Sequence, residues 1–274
     1  MHLRELINLV NSQSDKHNSF IDALLYNYMP IITFSIDDGY EEIYTIGLPL
    51  FQSKGITASI SIIPDLIGQS FETYPLMNLN KINTLYNAGW EIASHSSSHA
   101  HLTTLDRNGK DYEIRLSKSK LENYGFKIDT FCLPFGQHDA EVDSIVQSNY
   151  YNYRYSDWGE NNINSFNRHD LKSKWVVNTT TFNEIKSWID SAVINDSWLI
   201  IMLHHINHPE NEYSINSDLL SQVIDYAKSM ELTFKNINEV SYTELPPYEP
   251  KPVLSLIFAG GTVVVPAIIA GAVL

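Results

Sequence analysis

Short apolar runs alternate with helical patterns between Met29 and Tyr242. Apolar or β-branched runs predict eight strands: Ile31–Ile36, Thr57–Ile63, Trp90–Ser94, Thr130–Leu133, Tyr150–Tyr155, Trp175–Asn178, Trp198–Leu203 and Leu232–Phe234. Helical spacing predicts five helices between them: Leu76–Ala88, Tyr112–Tyr124, Glu141–Ser148, Phe182–Asn195 and Ser217–Met230. Repeated strand–helix units favour a parallel sheet with helices outside. Seven or eight units favour a closed or nearly closed barrel, with functional residues at the carboxyl ends of its strands.

The C-terminal end of the sequence differs from the rest. A Pro-rich spacer, residues 244–253, precedes an apolar stretch without charge from Leu254 to Leu274. This stretch is long enough to span a bilayer. Its Gly260-Gly261 pair and its β-branched residues equally fit two strands that pack on another subunit, and we lean slightly toward such a protein partner. We therefore predict a helical leader at 1–29, a barrel at 30–243, a linker at 244–253 and an apolar tail at 254–274.

Charge and composition limit the classes of partner. The formal net charge of −14 argues against nucleic acid and against an anionic membrane surface, since both attract basic proteins. Cys132 is the only cysteine, so an internal disulfide is excluded. Charged and amide residues interrupt the N-terminus, which predicts no secretory signal. Four apolar residues there have helical spacing and predict a short amphipathic helix: Leu3, Leu6, Ile7 and Val10.

Two adjacent acids, Asp37 and Asp38, end the first predicted strand and precede Gly39. Their side chains repel each other, and neither favours a strand. An Asp-Asp-Gly sequence is often an ordinary turn. The alternative is that the strand end presents paired carboxylates for chemistry.

Two histidines, His95 and His99, follow another predicted strand. A spacing of four would place both imidazoles on one face if a helical turn begins there, and such a pair can bind a divalent metal. The competing interpretation is a pair of surface or core histidines. His101 is a nearby alternative, although its spacing from His99 suits the same helical face poorly.

Together, the acids and the histidines are consistent with one metal site. Two histidines and one carboxylate form a ligand set that leaves positions open for water and substrate. One aspartate would then bind the metal, and its neighbour would be free to act as a base. A further pair, His204-His205, ends the buried run Trp198–Leu203, and one of the two could protonate a leaving group.

In this order, the residues resemble the polysaccharide deacetylases of the NodB-homology type, carbohydrate esterase family 4, over about residues 30 to 243. The resemblance rests on five stretches that follow the order of the family's motifs: Ser35–Gly39 for T-F-D-D-G, His95–His99 for H-[ST]-x-x-H, Cys132–Gly136 for R-x-P-[FY]-G, Asp157-Trp158 for the D-W motif, and Met202–His204 for the final histidine strand. It implies a distorted (β/α) barrel of seven or eight strands.

The resemblance also implies a reaction, the removal of acetyl groups from an N- or O-acetylated glycan. Asp38, His95 and His99 would bind one divalent ion, most often zinc, with cobalt, nickel, manganese or iron as alternatives. Asp37 would be the base that activates a metal-bound water, and His204 would protonate the leaving group. The stretch Pro134-Phe135 would supply an oxyanion-binding N–H, and Trp158 would wall the acetyl pocket.

One departure from the family pattern affects the expected activity. The third-motif arginine, which orients the base, falls on Cys132, and a thiol cannot replace a guanidinium. Asp157 then lacks the partner that the family gives it. The alternative function is a non-catalytic glycan-binding or structural module of a larger assembly. For an enzyme, we expect action on cell-envelope glycan, with virion association or anchoring through the tail as further hypotheses.

Overall fold

The computed structural model describes residues 30–241, 256–258 and 261–263. The predicted amphipathic helix near the N-terminus and the Pro-rich spacer lie outside these residues. The chain divides into two compact units, Met1–Thr243 and Glu244–Leu274. The boundaries predicted for the leader, linker and tail remain predictions.

Parallel strands close into a barrel within the first unit. Seven strands form the ring, in the order β1 (Ile31–Ile36), β2 (Ser59–Ile62), β5 (Glu91–Ser94), β6 (Thr130–Cys132), β7 (Asn152–Trp158), β9 (Leu171–Trp175) and β10 (Ser197–Leu203). The parallel pairing of β10 with β1 closes it. The predicted barrel of seven or eight strands is confirmed.

Two short strands distort the ring. β13 (Thr233–Phe234) pairs with the start of β1, whereas β2 pairs with its end. β8 (Asn161–Asn162) runs antiparallel to the start of β10, whose later residues pair with β9. β1 therefore pairs with β2, and β10 with β9, only toward the carboxyl ends of β1 and β10.

Burial explains why the central strands are apolar. All six residues of β1 and all seven of β10 are buried, since each strand has the barrel interior on one face and helices on the other. The longer helices lie in the connections between strands and cover this outer face: Leu48–Ser53, Leu79–Asn87, Arg107–Asp111, Ser117–Asn123, Ala140–Asn149, Phe182–Asn195 and Ser217–Ser229.

Side-chain caps fix where several helices begin. Thr181 and Glu184 form a reciprocal capping box at the start of Phe182–Asn195, where helix and prediction coincide. Asn78 caps Leu79–Asn87 and shortens the helix that was predicted from Leu76. The helix predicted over Tyr112–Tyr124 begins earlier, at Arg107, and contains a π-helical turn at Tyr112–Leu116.

The predicted strand Trp175–Asn178 lies too late in the sequence. The strand is Leu171–Trp175, in which Leu171 and Ser173 are buried. Lys174 is buried as well and forms an ion pair with Glu160. The sequence of this strand, LKSKW, is polar, so it lacks the apolar run on which the strand prediction depends.

The second unit contains a short antiparallel hairpin. β14 (Leu256–Phe258) pairs with β15 (Gly261–Val263), in the register Leu256↔Val263. This agrees with the interpretation of two strands around Gly260-Gly261, although the rest of the tail lies outside the described residues. In the described part of the chain, no helix combines the length and apolar character that crossing a membrane requires.

Candidate active site

The chemistry-bearing residues lie at the carboxyl ends of the barrel strands. Asp37 and Asp38 directly follow β1, His95 follows β5 and His204 follows β10. The backbone N–H of Asp37 donates to the Leu203 carbonyl at 2.9 Å. That of His95 donates to the Ile62 carbonyl at 3.0 Å. These bonds extend the sheet by one residue, so the rigid barrel fixes where the acids and histidines emerge.

Asp38, His95 and His99 converge on one point. Oδ1 of Asp38 lies 3.4 Å from Nε2 of His95 and 3.4 Å from Nε2 of His99. The helical turn expected between the two histidines is absent from this described segment, because Ser96 and His99 have φ values of 59° and 61°. A loop with left-handed residues brings the imidazoles together instead. Asp38 is left-handed too, with φ 70°, and such costly conformations often occur at functional sites.

Hydrogen bonding orients the first imidazole. Nδ1 of His95 lies 2.8 Å from the Cys132 carbonyl, to which it can only donate. Its Nε2 therefore carries the lone pair and faces Asp38, as a metal ligand requires. The ring of His99 is held differently, between the aromatic rings of Phe71 at 4.8 Å and Phe135 at 4.4 Å.

The electrostatics of this cluster favour a bound cation. Burial, the Asp37 charge and the Glu72 charge raise the pKa of Asp38 well above its usual range. Burial lowers the pKa of His95, and it lowers the pKa of His99 to about 2. Oδ1 of Asp38 is buried without a hydrogen-bond partner among the described residues. Two neutral imidazoles and a carboxylate with one oxygen free of hydrogen bonds fit a divalent metal ion.

Asp37 has the opposite environment. Burial would raise its pKa, but the guanidinium of Arg154, together with smaller contributions from His95, His204 and the Ser61 hydroxyl, holds the pKa well below its usual range. Nη2 of Arg154 lies 2.6 Å from both carboxylate oxygens of Asp37, and Ser61 Oγ donates to Oδ1 at 2.7 Å. Asp37 is therefore ionised at neutral pH and held in one orientation.

Arg154 corrects an expectation from the sequence. The arginine that the family pattern places at Cys132 is absent there, yet a guanidinium reaches Asp37 from the neighbouring strand. Cys132 on β6 and Arg154 on β7 are directly paired in the sheet, and both are fully buried. The signal in the sequence was a single arginine inside the strand Asn152–Trp158. Asp157, which would have partnered the missing arginine, is exposed.

The two adjacent histidines point to different partners. Nε2 of His204 lies 3.9 Å from Oδ2 of Asp37, whereas Nδ1 of His205 lies 2.6 Å from Oε1 of Glu42. Burial lowers the pKa of His204 to about 4, so its imidazole is neutral near pH 7. His204 is thus the histidine that faces Asp37.

A cavity of about 350 Å³ opens over these residues. Its lining consists of the two acids, three of the histidines and a mainly apolar wall: Asp37, Asp38, Phe71, Glu72, His95, His99, Leu133, Phe135, Ser156, Trp175, Met202, His204 and Tyr213. This size suits a small acyl group with part of a sugar ring.

The wall residues differ in part from those expected. Trp175 lines the cavity, whereas Trp158 does not; its half-exposed ring packs edge-on against Trp175 at 4.8 Å and Trp188 at 5.1 Å. Because the strand was predicted to begin at Trp175, this residue was not recognised as the last residue of the strand. Phe135 lines the cavity with a left-handed backbone, φ 56°, after the buried Pro134.

Residues 29–156 match the family model "Polysaccharide deacetylase". This segment belongs to the polysaccharide deacetylases of the NodB-homology type. The predicted resemblance is confirmed, and the family belongs to carbohydrate esterase family 4. No sequence among curated proteins matches the chain.

Solved structures support the fold of this deacetylase domain. The Xyl-CE4 domain of a multidomain xylanase from the hindgut metagenome of Trinervitermes trinervoides is 18% identical, with a TM-score of 0.55 over 77% of this chain and 89% of that chain. The Streptococcus pyogenes deacetylase PplD, solved with acetate, is 13% identical, with a TM-score of 0.52 over 68% and 77%.

A third similar structure shows that turnover does not follow from this fold alone. It is a mutant of BA3943, a carbohydrate esterase family 4 pseudoenzyme with restored enzymatic activity. It is 16% identical, with a TM-score of 0.53 over 78% of this chain and 68% of that chain. Activity therefore depends on the residues of the site and not on the fold alone.

Proposed function

We propose that this domain is a metal-dependent hydrolase that removes acetyl groups from an N- or O-acetylated glycan. The observation that carries the proposal is the convergence of Asp38, His95 and His99 beside an ionised Asp37 in one cavity. The family match supports glycan deacetylation as the reaction class.

The residues that would hold the metal are Asp38, His95 and His99. Zinc fits two imidazoles and one carboxylate best, with cobalt, nickel, manganese or iron as alternatives. When bound, a divalent ion supplies Lewis acidity toward a carbonyl and lowers the pKa of water.

Asp37 would serve as the general base. Its carboxylate faces the cavity beside Asp38, and Arg154 and Ser61 hold it in place. Because Arg154 keeps the pKa low, Asp37 is always ready to accept a proton at neutral pH. The same ion pair makes it a weaker base, so proton acceptance has to coincide with attack on the carbonyl.

His204 would protonate the departing amine or alcohol. A histidine with a pKa of about 4 is neutral before the reaction, so it has to receive a proton first. Oδ2 of Asp37 lies 3.9 Å from Nε2 of His204, so a proton taken from water could pass to the leaving group through these two residues.

The acetyl group would occupy the apolar side of the cavity. Trp175, Leu133 and Tyr213 form walls there. Pro134 has no N–H, so Phe135 is the first residue of that turn that can donate a backbone hydrogen bond to the carbonyl oxygen. We expect the glycan to belong to the cell envelope, and the acidic chain to have no nucleic-acid partner.

The test is acetate release from a panel of N- and O-acetylated glycans, with the metal content of the same preparation measured. We expect acetate from at least one glycan, loss of release after chelation, and recovery on adding the ion back. If the metal-loaded protein binds glycan and releases no acetate, the alternative function holds, namely a non-catalytic module of a larger assembly.

A further inference from the structure

A second cluster of metal-ligating side chains lies outside the cavity. Glu42, His205 and His208 each offer one ligand atom, and these atoms lie within 4.8 Å of one another. None of the three lines the cavity, and the catalytic proposal uses none of them. Glu42 lies on the segment that follows β1, and the histidines lie on the segment that follows β10.

His205 and Glu42 form the buried half of this cluster. Nδ1 of His205 lies 2.6 Å from Oε1 of Glu42, and both side chains are buried. The ring of Tyr40 stacks on His205 with centroids 3.8 Å apart, and Tyr74 packs on it at 4.5 Å. Packing therefore fixes the plane of this imidazole.

His208 forms the open half and is oriented by another carboxylate. Its Nδ1 donates to Oε1 of Glu210 at 3.0 Å, so the lone pair lies on Nε2, which faces Oε1 of Glu42 at 3.8 Å. A carboxylate on the far nitrogen is the usual support of a metal-binding histidine. Its backbone N–H donates to Ser214 Oγ at 3.0 Å, which fixes the loop.

We propose that Glu42, His205 and His208 bind a second divalent transition-metal ion, with Glu210 as the support of His208. Two imidazoles and one carboxylate are a zinc-type ligand set. Tetrahedral bonds of about 2.0–2.1 Å separate ligand atoms by roughly 3.3 Å. The Glu42 and His205 atoms have to move apart slightly to reach this spacing, and the partly exposed His208 has to move closer.

Such an ion would join two functional segments of the barrel mouth. Glu42 follows Asp37 and Asp38 after four or five residues, and His205 is adjacent to His204. Binding would hold these segments together and leave the cavity open. The role is therefore structural support of the residues in the cavity.

The test counts zinc ions bound per full-length chain after equilibration with Zn²⁺ alone. We expect two ions in the unmodified chain and one in His208→Gln. The matched control is His138→Gln. His138 has a 34% exposed side chain with Nδ1 2.9 Å from Asp143, and His208 is 31% exposed with Nδ1 3.0 Å from Glu210. The control should bind two ions.

Variants in the cavity separate this proposal from the catalytic one. Asp38→Ala should bind one ion, and the double variant with His208→Gln should bind none. Glu210→Gln should weaken the second ion by about 10- to 100-fold, whereas Glu212→Gln should not. Equal zinc counts in the unmodified chain and His208→Gln would overturn the second site. Lack of acetate release would overturn only the catalytic proposal.

Discussion

At the scale of single residues, the site depends on two neighbouring acids with opposite environments. Arg154 forms an ion pair with Asp37, whereas Oδ1 of Asp38 has no hydrogen-bond partner among the described residues. The pKa of Asp37 is accordingly lowered, and that of Asp38 is raised. One carboxylate is thus suited to act as a base and the other to bind a cation.

This division of roles predicts different losses for the two acids. Asp37→Asn should keep the bound ion in the cavity and lower turnover by about two to four orders of magnitude, because only the base is removed. Asp38→Ala should lose the ion itself. Metal analysis and acetate release measure both effects. If Asp37→Asn lost the ion and Asp38→Ala kept it, Asp37 would be the metal ligand and Asp38 the base.

A second prediction concerns Arg154. Arg154→Met leaves the Asp37 charge buried and unpaired, which should cost about 3–5 kcal/mol of stability and most of the activity. Adding Cys132→Arg returns a guanidinium from the paired position on β6 and should restore much of both. Chemical denaturation and acetate release are the measurements.

The control for this exchange is Arg168→Met, which removes an arginine that lies over the ring of Tyr151 at 4.2 Å. It should change activity little. If adding Cys132→Arg restored neither the stability nor the activity of Arg154→Met, an arginine at position 132 could not replace the one at position 154.

Sequence reasoning identified the residues that directly follow strands, and it missed those that act from within them. Asp37, Asp38, His95, His99 and His204 all line the one cavity. Their roles remain predictions. The contribution of Arg154 depends on which strand lies beside Cys132 and on the depth of its side chain, and neither is written in the local sequence.

At the scale of elements, loops and strand ends shape the cavity. The expected helical turn at His95–His99 is a loop because left-handed residues interrupt it. The ladder between β7 and β9 contains an irregularity between Arg154 and Trp158. The two tryptophans, Trp158 and Trp175, follow this irregular pairing, and only Trp175 reaches the cavity.

The third prediction follows from this difference. Trp175→Ala removes a cavity wall and should lower kcat/KM by about 10-fold or more, since burying even small apolar groups of a substrate changes rates to this extent. Trp158→Ala should have a smaller effect, because that ring supports Trp175 from outside. Trp188→Ala is the control. If Trp158→Ala lost more kcat/KM than Trp175→Ala, Trp158 would form the cavity wall, as the sequence analysis predicted.

At the scale of the whole molecule, the alternation of strands and helices was enough to predict the barrel. The apolar runs of β1 and β10 are readable because both are buried on two faces. Within residues 30–241, five two-residue strands were missed, because they leave no periodic pattern: β3 (Ser70–Phe71), β4 (Tyr74–Pro75), β8, β11 (His205–Ile206) and β12 (Ser214–Ile215). β9 was misplaced because its sequence LKSKW is polar and contains no apolar run.

Buried neutral histidines predict how stability depends on pH in chelator-treated protein. The pKa values of His99 and His204 are lowered from 6.5 to about 2 and about 4. Between 6.5 and these values the unfolded chain binds more protons, so the free energy of unfolding should fall as the pH falls. Asp38, whose pKa is raised, opposes this loss in part.

Urea unfolding on both sides of pH 6.5 measures this dependence. His99→Gln should make this dependence shallower than in the unmodified protein. The same slope in both proteins would show that His99 is not held neutral by the fold.

The tail gives the last prediction at this scale. Residues 250–274 should be dispensable for the barrel, since its ring closes within residues 31–203. A chain that ends at residue 249 should keep its metal content and acetate release, and should lose assembly with a partner or association with a membrane. If the shortened chain failed to fold, the tail would belong to the core.

The most direct measurement compares acetate release by the unmodified protein and by Asp37→Asn, with equal metal content in the two samples, on a glycan that both bind. The account predicts acetate from the unmodified protein and a loss of about two to four orders of magnitude in the variant. Equal release by the two proteins, or none from the metal-loaded unmodified protein on any acetylated glycan, would contradict it.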